Sequence, residues 1–279
     1  MPTVKLNGVE IYYETQGRGE PVLLVPPNWW PCATWKVTVV PALSKRFRTI
    51  IYDGRGTGRS AQPKDGYNVR RFALDGIELL QHLGVSRCHL VGFAIGGQIV
   101  QAMAIARPEL VASLTISTTG PGVRRLDGTM REVGPEALHE INKIGFEKYI
   151  LEHIDNDHMA YNPEFYTSHR RQAAELARAL WSGQSTVEQY RAHELARLTW
   201  DTLAEAPKVK VPTLVLCGAD DGVERRGSTP EATARRLAPL IPGAELALIP
   251  GVRHMTFWDG DGALKALQEF LERHAIGAK

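Results

Sequence analysis

Short continuous apolar runs alternate with amphipathic stretches along most of the chain. "PVLLVPP" (21–27), "FRTIIYD" (47–53), "CHLVGF" (88–93) and "VASLTIST" (111–118) have the length and apolar content of strands buried on both faces. "VEIYYETQG" (9–17) reads as another strand, closed by a Gly-rich turn. Helical stretches fall between them: one at about 33–45; one at 68–83, with Phe72, Ile77, Leu80 and Leu83 on an apolar stripe; and one at 95–108, stopped by Pro108. The rhythm returns with "VPTLVLCG" (211–218), a helix at 229–240, "AELALIPG" (244–251) and a last helix at 261–275. Such alternation predicts βαβ units and an α/β fold, a mostly parallel central sheet flanked by helices. From 122 to 205 the chain is polar, rich in Glu, Arg, His and Ala, and has no strand-like run. The expected organisation is one core, 1–121 and 206–279, interrupted by an inserted helical cap, 122–205.

Composition narrows the class. At 279 residues and 43% hydrophobic, the chain is long enough for one large core. A net charge of +2 with both signs interspersed leaves no basic patch for nucleic acid. Three cysteines do not make a disulfide framework, and Cys88 and Cys217 lie in apolar runs, where cysteine is a packing residue. No apolar run reaches the roughly 18 residues of a membrane-spanning helix, and "MPTVKLNGVEIYY" has no signal-like apolar segment. The expectation is a cytoplasmic protein that acts on a small molecule, with no nucleic-acid or membrane partner.

Three places carry candidate chemistry, each at the C-terminal end of an expected strand, the edge where parallel α/β sheets gather their sites. "VGFAIGG" (91–97) turns a strand sharply into a helix, with Gly92 and Gly96 framing Ala94. Such a turn forces its apex toward positive φ and needs small residues two positions away. "CGADDG" (217–222) offers Asp220 and Asp221, and "GVRHM" (251–255) offers His254.

Over nearly its whole length the chain resembles the α/β-hydrolase family, and "YDGRGTGRS" (52–60) is similar to that family's Asp-x-Arg-Gly-x-Gly-x-Ser turn. The resemblance implies the order nucleophile, acid, histidine, which falls on Ala94, Asp221 and His254. Asp221 is preferred to Asp220 because the family's acid sits three residues after the glycine that ends its strand, here Gly218. It also implies an oxyanion hole from the backbone N–H groups of Ile95 and Asn28, and no cofactor or metal. Two departures stand out: Ala94 replaces the usual Ser, Cys or Asp, and Pro26-Pro27 replaces the usual His-Gly pair. Trp29 and Trp30, beside the oxyanion loop, are expected to line a pocket for an apolar or aromatic substrate, with Tyr161 and Trp181 on the cap side.

Alanine at a strained apex leaves several readings. The chain is a serine hydrolase with its nucleophile replaced, or an enzyme in which His254 activates water. The second fits a further resemblance, to aminoacrylate hydrolases of pyrimidine breakdown, which look similar around "YDGRGTG" and also carry Ala at the elbow; the chain also resembles enol-lactonases. In either case the substrate is an ester, lactone or activated amide. Lyase or decarboxylase chemistry with His254 as acid–base is an alternative, as is a ligand-binding pseudoenzyme. Weaker candidates are Cys32 as nucleophile, "GRGTGRS" as a dinucleotide loop, and His153, Asp155, Asp157 and His158 as metal ligands.

Overall fold

The computed structural model describes residues 2–27, 29–129, 143, 145, 161–183, 186–222 and 229–277. Its strands are β1 (Thr3–Leu6), β2 (Val9–Gln16), β3 (Pro21–Val25), β4 (Arg48–Tyr52), β5 (Cys88–Phe93), β6 (Val111–Ser117), β7 (Thr213–Gly218) and β8 (Glu245–Ile249). They form one 8-stranded sheet in the order β1-β2-β4-β3-β5-β6-β7-β8. β2 pairs antiparallel with β1 and β4, and every other pairing is parallel. Helices α1 (Val39–Leu43), α2 (Val69–His82) and α3 (Ile95–Ala106) fall in the first half of the core. Then come α4 (Pro163–Ser168), α5 (Arg170–Trp181), α6 (Val187–Ala196) and α7 (Thr202–Glu205), followed by α8 (Pro230–Leu237) and α9 (Gly262–Arg273). No described helix is long and apolar enough to cross a membrane.

The strand runs are apolar throughout because both faces are covered. In β3, Leu23 and Val25 join the apolar cluster that includes α2, α3 and α8, whereas Val22 and Leu24 join the cluster that includes α1 and α9. That is the two-residue side-chain period of a strand.

Two helical stretches are broken where the sequence reads continuously. The stretch at 33–45 forms a 3-10 turn, Cys32–Lys36, and then the short α1. Pro41 at the third position of α1 has no N–H for Val37 O and its ring would clash with that carbonyl in a continuous helix, and the β-branched run Val37-Thr38-Val39-Val40 adds to the break. The stretch at 229–240 ends as a helix at Leu237 and finishes in a 3-10 turn that contains Pro239, which has no N–H to give.

Between β6 and β7 the described residues from Pro163 to Lys208 are mostly helical, whereas 118–129 form turns and loop, and the helical part lies on the loops that follow the strands. Asn162 donates its backbone N–H to Asp259 and its side-chain amide to Gly251 O, and Gln172 donates to Trp258 O. His193 of α6 lies against Arg55 O (3.1 Å) and Thr57 Oγ1 (3.3 Å), and it stacks on Phe72.

Burial holds His193 at a pKa of about 4, below the roughly 6.5 of a free histidine. Between these two values the unfolded chain binds a proton that the folded chain refuses, so stability falls as pH falls. The loss is expected to be complete near pH 4 and on the order of 3 kcal/mol. Urea midpoints at about pH 7.5 and about pH 5 should differ clearly for the native chain and much less for His193→Gln.

Candidate active site

The elbow between β5 and α3 is built by close approach. Ala94 sits at φ 53°, ψ −119°, a conformation that costs a non-glycine residue on the order of 1–3 kcal/mol. Glycines make room for it. A Cβ on Gly92 would lie 2.2 Å from Gly96 O, one on Gly96 would lie 2.3 Å from Val25 O, and one on Gly97 would lie 1.9 Å from Thr119 Oγ1. Ala94 N–H donates to Ser117 O (3.0 Å), and Thr119 Oγ1 donates to Ala94 O (2.9 Å). Ile95 is the first residue of α3, so its N–H has no acceptor within the helix and is available to a ligand.

Asp221 and His254 are brought together by the turns after β7 and β8. A Cβ on Gly218 would lie 2.2 Å from Val252 O, so only glycine lets these two turns pass. His254 Nδ1 lies 3.0 Å from Asp221 Oδ2. Asp221 is fully buried, while the His254 side chain is 14% exposed. Such a contact fixes the ring orientation and leaves Nε2 facing away from the carboxylate. The neighbouring Asp220 is exposed. The edge of Phe93, immediately before the elbow, packs on the His254 ring with centroids 5.9 Å apart.

The loop after β3 completes the surroundings. Asn28 lies outside the described residues. Trp29 adopts φ 44° and packs on Tyr190 of α6 at 5.8 Å. Trp30 meets Phe93 at 6.1 Å and Trp258 at 5.7 Å. A cavity of about 30 Å³ lies beside the elbow, bounded by Pro26, Pro27, Trp30, Ile95, Thr57 and His193, with room for a water or two. Trp30 borders it; Trp29 and Tyr161 do not. Tyr161 is instead buried against Tyr166 at 5.6 Å. The side chain of Trp181 lies outside the described residues. Thr57 and His193 were not singled out in the sequence, because a buried histidine on a polar helix has no local signature.

The weaker candidates separate clearly. Cys32 is fully buried, and burial pushes its thiol well above the usual range, so it is a poor nucleophile. Its N–H donates to Asp53 Oδ1 (2.6 Å), which ties the loop after β3 to the turn after β4. That turn, Gly54–Ser60, leads into no helix before Val69, so it lacks the helix N-terminus that holds a dinucleotide phosphate. Its Arg55 makes a two-pronged pair with Asp75 (both 2.7 Å), each side chain 2% exposed. His153, Asp155, Asp157 and His158 lie outside the described residues. Among the described residues, no three His, Cys, Asp or Glu side chains group as metal ligands.

The eight-stranded order, the elbow after β5 and the acid–histidine pair after β7 and β8 define an α/β-hydrolase-fold enzyme. The family model for the α/β hydrolase fold matches residues 26–261, and the chain belongs to that family. Among its relatives, the RutD protein of Stutzerimonas stutzeri strain A1501, named as a carbamate hydrolase, is 30% identical over 244 residues, 86% of this chain and 88% of its own. Among solved structures, the enol-lactonase from Burkholderia xenovorans LB400 superposes with a TM-score of 0.80 at 23% identity, over 97% of this chain and 100% of its own. Est816, an N-acyl homoserine lactone degrading enzyme, superposes with a TM-score of 0.75 at 26% identity, over 99% of this chain and 100% of its own.

Proposed function

We propose that this protein hydrolyses a small carbonyl compound (a carbamate, ester or lactone) by direct attack of water, with no covalent intermediate. The observation that carries this reading is the His254–Asp221 pair, 3.0 Å apart and partly buried, beside an elbow whose apex offers no nucleophile. A general base without a side-chain nucleophile to activate still has water to activate.

His254 takes a proton from a water beside the Ala94 methyl, and the water oxygen bonds to the substrate carbonyl carbon. Asp221 orients the imidazole and stabilises the imidazolium that forms. The oxyanion is held by the Ile95 N–H, with the Asn28 N–H as its second donor. On collapse the bond to the leaving group breaks, and His254 returns the proton to that group. The segment 122–205 acts as a cap, and Trp30 with Pro26 and Pro27 supplies an apolar wall on the cavity side of the elbow. The RutD and lactonase relatives support this substrate class.

The strained apex favours a second reading, in which Ala94 stands where serine would act. Its φ of 53° is the conformation a nucleophile elbow needs, and glycine would hold it at less cost. A panel of small carbamates, lactones and p-nitrophenyl esters, assayed with this chain and with Ala94→Ser, separates the two. Turnover by the alanine form supports direct water attack. Turnover confined to the serine form supports the second reading and overturns the first.

A further inference from the structure

Ser117, Thr118 and Thr119, at the end of β6 and just beyond it, contact the elbow, β7 and the turn that carries His254. Among the described residues, four other than glycine adopt positive φ: Asn7, Trp29, Ala94 and Thr118. The last three lie at the site, and Thr118, at φ 50°, is the one β-branched residue of the four. Such a residue in the left-handed region is strained and is held there by its surroundings.

The contacts of Thr118 show what holds it. Its N–H donates to Leu216 O in β7 (2.9 Å), the strand that leads to Asp221. Its Oγ1 hydrogen-bonds with Oγ1 of the fully buried Thr256. Thr256 N–H in turn donates to His254 O (2.8 Å). On either side, Ser117 O accepts the Ala94 N–H and Thr119 Oγ1 donates to Ala94 O. Three consecutive residues therefore grip the elbow peptide at both its polar ends and tie it to the acid strand and the histidine turn.

We propose that Thr118 is a positioning residue, whose strained backbone and hydroxyl set the histidine turn, through Thr256, in register with the elbow. The proposal rests on the reading of His254 as the base. If the hydroxyl link is lost, the 254–256 turn loses its tie to the segment after β6, and His254 can shift relative to Ala94. Displacement of a catalytic group by about 1 Å costs up to about a hundredfold in rate.

Three variants separate positioning from packing. Thr118→Val keeps shape and removes the hydroxyl. Thr118→Gly removes the hydroxyl and relieves the strain, so it is expected to unfold at the same temperature as the native chain or above it. Thr118→Ser keeps the hydroxyl. The readouts are the Nδ1-proton resonance of His254 in its hydrogen bond to Asp221, seen by NMR, and kcat separately from KM. The valine and glycine variants are expected to lose or broaden that resonance and to lose about ten- to a hundredfold in kcat with KM little changed. The serine variant is expected to retain both, and Thr256→Val to behave like Thr118→Val. Retention of the resonance by the valine and glycine variants overturns the proposal, as does its loss in the serine variant. If the native chain hydrolyses nothing, the hydrolase reading fails alone, and the resonance still decides whether Thr118 positions His254.

Discussion

Replacing His254 with alanine is expected to lower kcat/KM by roughly 10²–10⁴-fold, the usual contribution of a positioned general base. The effect should fall on kcat, because in the proposed reaction the imidazole acts on the attacking water and not on substrate binding. Of the two neighbouring carboxylates, Asp221 is buried behind His254 and Asp220 is exposed to solvent, so neither replaces the imidazole. The substitution also strands Asp221, a fully buried carboxylate whose Oδ2 has His254 as its 3.0 Å partner. Some loss of stability is therefore expected beside the loss of rate, as a buried charge without its partner is costly. His254→Gln, which keeps a polar group near Asp221, should lose as much rate and less stability. Steady-state kinetics and urea melts on both variants check this. Near-native kcat in either variant would remove His254 from the mechanism.

Arg55→Met is expected to destabilise the fold by about 3–5 kcal/mol, the cost of breaking one side of a buried ion pair. Arg55 Nε and Nη2 each lie 2.7 Å from a separate oxygen of Asp75, and both side chains are 2% exposed. Asp75 Oδ1 also accepts from the Asn7 side chain (3.0 Å), so the pair joins the turn after β4 to α2 and to the turn after β1. Removing Arg55 leaves a carboxylate in the interior with that one neutral donor. Removing both partners together, as Arg55→Met with Asp75→Leu, should recover much of the loss, because a well-packed apolar pair replaces a buried ion pair at little cost. Urea unfolding of the two single variants and the double variant measures this. A loss below about 1 kcal/mol for Arg55→Met, the range of an exposed pair, would contradict it. Arg55 O also accepts from His193, so the same turn links the core to helix α6.

What was legible in the sequence was local. The apolar run 88–93 and the glycines after it marked β5 and α3 to within two residues, because strand burial and helix–strand close approach leave their own composition. Gly92 and Gly96 could be assigned to the elbow for the same reason. The preference for Asp221 over Asp220 rests on the family resemblance and not on the residues themselves; the burial of Asp221 depends on how the turns after β7 and β8 cross at Gly218. The helical stretch at 33–45 is present but divided into a 3-10 turn and the short α1, a break that helical content alone does not signal. Long-range contacts were invisible. Arg55 and His193 are 138 residues apart in the chain, as are Thr118 and Thr256, and neither pair leaves a trace in spacing. Trp30 and Trp29 are equivalent in sequence, yet the positive φ of Trp29 turns it toward Tyr190 and leaves Trp30 on the cavity.

In the proposed reaction water, not a side chain, attacks the substrate. The most direct test follows product formation during the first turnover of a carbamate, ester or lactone, in this chain and in Ala94→Ser, with intact-protein mass measured on quenched samples. Direct attack by water has the alanine form release product linearly from the start, with no burst and no mass adduct. A native chain that is inert, beside a serine variant that gives a stoichiometric burst and an acyl adduct, would contradict it.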